Sequence, residues 1–367
     1  MQHIETPALI IDMEQVEKNL KSWQEQITAK GCTLRPHIKT HKIVRLARMQ
    51  MEYGAAGITC AKLGEAETMV AGGMRDVFIA YPIIGKEKVE RLLALARQAR
   101  IICGVDSLAG AKAISEAAVA HGQSIELRME IDTGYERTGC PVDRAVELAR
   151  EINALPGVEL TGIFTFKCNT LGGTRTLDMA AAGREESEMM VALAGDMRKA
   201  GVPIKEISGG STPTAMYVAD NPGMTEVRPG TYIFHDAAKV KQNAAAPEEC
   251  CGYIKVTVVS TPTETRAVID GGSKIFAGDT TIRTAPMFLP GYGAVIGRDD
   301  LVFDHMSEEH GVIIGKDGGK TGLSVGDTLY IVPNHICTSI NLCNYVWIKE
   351  KDGSYTRTPV DCRGLFN

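Results

Sequence analysis

The chain has 367 residues, 44% hydrophobic and 23% charged, with a net charge of −5. These are the proportions of an ordinary globular protein. There is no basic block to suit nucleic acid or an anionic membrane surface. No apolar run approaches the ~18 residues of a membrane span.

The length suggests two domains, or one barrel with an appended domain. Met1 to Met13 carries Glu5 and Asp12 and no basic stretch, so a signal peptide is not expected. The ten cysteines are scattered and include the adjacent pair Cys250-Cys251. Reduced thiols in the cytoplasm are expected rather than a disulfide framework.

In chain order, Pro7 to Asp12 is a short apolar strand. Met13 to Ala29 places Val16, Leu20 and Trp23 at helical spacing. Thr33 begins a strand that runs into Arg35-Pro36-His37-Ile38-Lys39-Thr40-His41-Lys42. From there strand and helix alternate. Strands are predicted over 57–61, 76–81, 101–106, 125–132, 160–166, 206–208 and 226–228. Helices lie between them, with Gly72-Gly73 as a stop signal and Ser107 as a cap. With the strand at Thr33 this makes eight βα units over about 200 residues, the size of a (β/α)8 barrel. A doubly wound open sheet is the rival, but the Rossmann glycine fingerprint is missing after the first strand.

From Ala238 onward the texture changes. Tyr253–Val259, Thr265–Asp270, Thr328–Val332 and Asn344–Lys349 are rich in β-branched and aromatic residues, separated by turns. The expected fold class is therefore α/β. Residues 13–237 form a TIM-like (β/α)8 barrel. Residues 1–12 and 238–367 form a β domain that takes the N-terminal strand.

Barrel chemistry is done at the carboxyl ends of strands. Lys39 stands at such an end and is expected to hold a cofactor aldehyde as a Schiff base. Gly209-Gly210-Ser211-Thr212 offers backbone N–H groups and hydroxyls to a phosphate, and so does Gly230-Thr231-Tyr232 one strand later. An amine with a phosphate cradle suits pyridoxal 5′-phosphate (PLP). Arg137 either caps a surface loop or faces the phenolic oxygen of the cofactor. In the β domain, His335 and Cys337 lie two apart on an expected strand and so share a face. They either pack there or hold a divalent metal, zinc before others, in an open site. Ser307-Glu308-Glu309-His310 is either a solvated loop or a further polar cluster.

Seven stretches, taken in order, resemble the D-threonine aldolase / D-serine dehydratase family of fold-type III PLP enzymes. They are 35–42, 131–139, 209–214, 228–232, 270–274, 307–311 and 333–337. The resemblance implies Lys39 as Schiff-base lysine, Arg137 at the cofactor's O3′, and Gly210, Ser211, Thr212, Gly230, Thr231 and Tyr232 around the phosphate. It also implies His335 and Cys337 at a metal beside the substrate hydroxyl, Lys39 or His41 as base, and a homodimer. The substrate is then a small D-3-hydroxy amino acid. The His-x-Cys pair favours loss of water and ammonia; retro-aldol cleavage to glycine and an aldehyde, and racemisation, are the alternatives. One stretch departs from the family. Phe166-Lys167-Cys168-Asn169 stands where members commonly show Tyr-x-Gly-His, which leaves the partner of the pyridine nitrogen open.

Overall fold

The computed structural model describes residues 4–367, so residues 1–3 of the expected β-domain segment lie outside the described residues. The chain divides into two compact units. One comprises residues 22–39, 43–230 and 364–367. The other comprises the chain up to Lys21, residues 40–42 and residues 231–363.

The first unit is the barrel. Its eight strands are hydrogen-bonded in the order Thr33–Leu34, Glu226–Val227, Glu206–Gly209, Val158–Thr165, Ile125–Asp132, Arg100–Val105, Asp76–Pro82 and Ile58–Cys60. A parallel bridge between His37 and Thr59 joins the two ends and closes the ring. Pairing is parallel throughout the ring, as right-handed βα repeats require. Buried on both faces, the strands are nearly continuous apolar runs, such as Ile101-Ile-Cys-Gly-Val105. Ser107 caps the helix Leu108–Ala120 by accepting a hydrogen bond from the Gly110 N–H at 3.3 Å.

The barrel interior is a packed core that encloses a charge cluster. Phe78 and Phe164 meet edge to face at 4.9 Å, with Ile102 beside them. The Glu226 carboxylate accepts from Arg35 Nε at 2.6 Å, Arg128 at 2.6 Å and Ser208 Oγ at 2.7 Å. Arg228 donates to Ser208 Oγ at 2.5 Å and to the Thr165 carbonyl at 2.7 Å. Arg35 also pairs with Asp76. One carboxylate thus ties together groups from four strand segments.

The second unit is built on a sheet in the order Leu301–Met306, Gly311–Gly315, Arg266–Ile269, Gly252–Thr263, Ala8–Asp12, Tyr345–Lys349 and Tyr355–Pro359. Strands Thr328–Pro333 and Gly293–Val295 extend it. Residues 252–258 of the strand Gly252–Thr263 alternate: Ile254, Val256 and Val258 are fully buried, while Lys255 and Thr257 between them are not. The N-terminal strand belongs to this sheet, paired antiparallel through Ala8↔Lys255 and parallel through Ile10↔Trp347. Four strands of this unit, at 293–295, 301–306, 311–315 and 355–359, were not expected from the sequence. They are short, interrupted by glycine, or polar. All ten cysteines are free thiols. No helix among the described residues is long and apolar enough to cross a membrane.

Burial pushes the Glu226 carboxyl up, but the Arg128 and Arg35 guanidinium groups and the Ser208 hydroxyl more than reverse this and hold it at about 2. A carboxylate depressed in the fold contributes stability above its ordinary value and loses it as pH falls through the folded value. That contribution, about 3 kcal/mol by linkage, should therefore disappear between pH 4.5 and about 2. Glu226→Gln should lower the unfolding free energy at pH 7 by about 3–5 kcal/mol, because it strands buried arginines. It should also flatten the acid limb. A urea midpoint equal to that of the wild type at pH 7 would show that the cluster does not hold the barrel.

Candidate active site

Lys39 sits in a short 3-10 turn, Ile38–Thr40, which follows the first barrel strand. Pro36 biases Arg35 to extended backbone. The His37 ring then accepts the Lys39 backbone N–H through Nδ1 at 3.3 Å, which turns the chain out of the strand. The Lys39 amine lies 5.2 Å from the centre of the Phe166 ring, and the Arg137 guanidinium lies 4.7 Å from the same centre. Tyr135 meets that ring edge-on at 5.2 Å. The three loops after the first, fifth and sixth barrel strands thus bring an amine and a guanidinium to one aromatic ring. Such an arrangement suits a planar, anionic, aldehyde-bearing ligand. Arg137 is about half exposed and is 3.7 Å from the buried Glu130 carboxylate.

The glycine-rich loop after the seventh strand is tighter than its sequence suggests. Gly210 has φ +70°, and a Cβ there would stand 2.9 Å from Ala215 Cα. Its N–H donates to Glu186 Oε1 at 2.7 Å, and the Ser211 N–H donates to Thr214 Oγ1 at 3.1 Å. These two amides were expected to face a phosphate; they are already committed within the loop. The Ser211 hydroxyl, half-buried and 3.3 Å from Thr214 Oγ1, lies on a backbone made compact by two glycines. Thr212 and Gly230 are both buried.

In the other unit, Thr231–Ile233 forms a 3-10 turn, and Tyr232 within it is buried. His41, expected as an alternative base, is fully buried with its ring edge-on to Phe234 at 6.5 Å.

His335 and Cys337 do not lie on a strand. The strand Thr328–Pro333 ends at proline; His335 is the N-cap of the helix Ile336–Leu342, and Cys337 is in its first turn. Ile336 and Ile340, one helical turn apart and both fully buried, are the signal that marked this helix in the sequence. The extended backbone of His335 (φ −139°, ψ 96°) brings its ring to the cysteine, and the two side chains hydrogen-bond. Asp279, which no motif signalled, accepts from His335 Nδ1 at 2.5 Å and from the Thr338 hydroxyl at 2.9 Å. This leaves the other ring nitrogen for a ligand, the carboxylate–histidine arrangement of metal sites.

Burial opposes both charges. The Cys337 thiol is nevertheless drawn down by the His335 imidazolium, and His335 is drawn up by the Cys337 thiolate and Asp279. The pair thus favours thiolate and imidazolium. Among the described residues no group of three or more His, Cys, Asp or Glu side chains could hold a metal. The donor set fits an open two-ligand site rather than a closed structural one.

A closed barrel with a lysine after its first strand, joined to a β domain, is the architecture of alanine-racemase-like PLP enzymes. Residues 11–238 match the family described as "Alanine racemase, N-terminal domain", and residues 253–348 match "Putative serine dehydratase domain". The chain is 32% identical over 354 residues to D-threo-3-hydroxyaspartate dehydratase of Delftia sp. (strain HT23), covering 92% of each protein. It is 30% identical to the D-threonine aldolase of Arthrobacter sp over 342 residues, 92% of this chain and 87% of that protein.

Among solved structures, the Delftia dehydratase superposes with a TM-score of 0.88 at 30% identity, covering 97% of each chain. D-Threonine aldolase from Filomicrobium marinum superposes with a TM-score of 0.87 at 27% identity, covering 99% of this chain and 97% of that one. Variants of the Delftia enzyme in a histidine and in a cysteine two positions further on have been solved, the cysteine variant in a metal-free form. The chain belongs to the D-threonine aldolase / D-serine dehydratase family and is a PLP-dependent lyase of fold type III.

Burial pushes the Glu186 carboxyl behind the phosphate loop up to about 7; the Gly210 N–H, Arg228 and Lys167 restrain it only in part. The sign is opposite to that of Glu226. The fold keeps a proton that the unfolded chain has released, so this group's contribution falls as pH rises from 4.5 and levels off above about 7. Glu186→Gln should remove that slope and be more stable than the parent at pH 8, by up to about 3 kcal/mol. Unfolding free energies measured at pH 5 and pH 8 test this; equal differences at both would refute it.

Proposed function

We propose that the protein is a metal-assisted lyase acting on small D-3-hydroxy amino acids, and that it eliminates water and ammonia to leave a keto acid. The observation that carries this reading is the His335–Cys337 pair, backed by Asp279 and drawn toward its thiolate form. The spacing matches that of the histidine and cysteine varied in the Delftia dehydratase. The functional division follows residues 13–237 for the cofactor and residues 1–12 with 238–367 for the metal.

Lys39 would hold PLP through its amine, with Arg137 toward the phenolic oxygen and Ser211, Thr212, Gly230, Thr231 and Tyr232 about the phosphate. Gly210 serves this loop by its turn rather than by its amide. Bound there, PLP supplies an electron sink for charge developing at the substrate α-carbon. His335 and Cys337 would hold a divalent cation, zinc by donor chemistry, which supplies Lewis acidity at the β-hydroxyl.

Lys39 takes the proton from the α-carbon. With the β-hydroxyl lost as water, hydrolysis of the product releases ammonia and the keto acid. Taking the hydroxyl proton instead would break the Cα–Cβ bond and yield glycine and an aldehyde. Phe166 offers no donor or charge to the cofactor ring and acts as an apolar wall beside Lys39 and Arg137. The ten free thiols suit a reducing cytoplasm, and the family resemblance supports a homodimer.

The protein loaded with PLP should be yellow. Lys39→Ala should remove the visible band of the lysine-bound cofactor while leaving the far-ultraviolet circular dichroism unchanged; a retained band would sink the assignment of Lys39. Assays on D-serine, D-threonine and 3-hydroxy-D-aspartate should give keto acid and ammonia in equal amounts. Glycine and an aldehyde instead would assign the chain to retro-aldol cleavage. Cys337→Ala should keep the visible band and lose turnover by about 100-fold or more. Full turnover in that variant would refute the metal reading.

A further inference from the structure

Thr40 is the last residue of the turn that contains Lys39, and it is completely buried. Its hydroxyl oxygen is 3.2 Å from Cys337 Sγ, which donates to it in the thiol form. The Thr231 hydroxyl stands on the same sulfur at 3.6 Å. A sulfur in a metal site is a thiolate and has no proton to give. The Thr40 hydroxyl can act in either direction, so it would then turn and donate to the sulfur. The sequence signalled neither contact to the sulfur: Thr231 was read there as a phosphate contact, and Thr40 only as part of the stretch around Lys39.

We propose that Thr40 is the positioning residue for the metal-binding sulfur. Its hydroxyl holds the Cys337 thiolate from the turn that presents Lys39. This rests on the metal reading given above. A hydroxyl donated to a coordinating thiolate fixes the direction of the sulfur's lone pairs and spreads its charge. Outer partners of this kind are typically worth 10–100-fold in metal affinity.

Thr40→Val and Thr40→Ser separate the hydroxyl from the packing: valine keeps the branched shape and loses the oxygen, serine keeps the oxygen and loses the methyl. The measurement is zinc affinity of the PLP-loaded protein by chelator competition. The spectrum of the Co²⁺-substituted protein adds a second readout, since its thiolate-to-metal charge-transfer band reports the sulfur directly. Thr40→Val should bind zinc at least about 10-fold more weakly with a shifted Co²⁺–thiolate band, and Thr40→Ser should stay within about threefold of the parent.

Parent affinity in Thr40→Val overturns the proposal, and so does equal weakening in both variants, which would assign the effect to packing. Cys337→Ala serves as the control. If the parent protein has no saturable zinc site and Cys337→Ala matches it, the metal reading itself fails, and this inference with it.

Discussion

The barrel depends on one buried carboxylate. Glu226 receives Arg35 from the first strand segment, Arg128 from the fifth strand and Ser208 from the seventh, and itself starts the eighth. An apolar filling would close a barrel as well and avoid the desolvation of three charges. What the ionic filling adds is direction. Each hydrogen bond fixes a strand along its own axis, so the length of chain from that bond to the barrel mouth is set. Lys39 is four residues beyond Arg35, and the His37–Thr59 bridge that closes the ring lies between them. A slip of the first strand would break the Arg35–Glu226 pair before it moved the lysine.

Glu226 and Glu186, two of the buried glutamates of the barrel unit, resolve the same physical problem in opposite ways. Glu226 is ionised because two guanidinium groups face it at hydrogen-bond distance. Glu186 is equally enclosed, but the Gly210 backbone amide donates to it and the cations nearby act only at range; burial prevails and holds its carboxyl up at about 7. On the phosphate reading proposed for this loop, a carboxyl held up in this way places less negative charge behind the ligand than an ordinary glutamate would. The amide it occupies is the one that the glycine motif seemed to offer to the phosphate.

Much of this was legible in the sequence, and the reasons for the failures are specific. Parallel strands buried on both faces leave apolar runs at regular spacing, so the eight barrel strands and the lysine at the end of the first could be found. The N-terminal strand was assignable because no barrel position remained for it. The short strands at 293–295 and 311–315 depend on partners far away in sequence and carry glycines that blur the alternation. His335 and Cys337 were found as a pair but on the wrong element: attention to the period of two hid the period of four in Ile336 and Ile340. Asp279, Thr40 and Thr231 reach the pair from sequence separations of 56, 297 and 106 residues, which no local pattern can encode.

The metal reading proposed for the second unit calls for an open site. A closed shell of four protein donors binds tightly but leaves no position for substrate. On that reading His335 and Cys337 are the two donors, and other side chains hold each of them from behind. Asp279 accepts from the histidine, fixing which nitrogen is free, and Thr40 and Thr231 contact the sulfur. Charge is arranged the same way: the His335 imidazolium draws the half-buried Cys337 thiol down against burial, and the Cys337 thiolate and Asp279 draw His335 up.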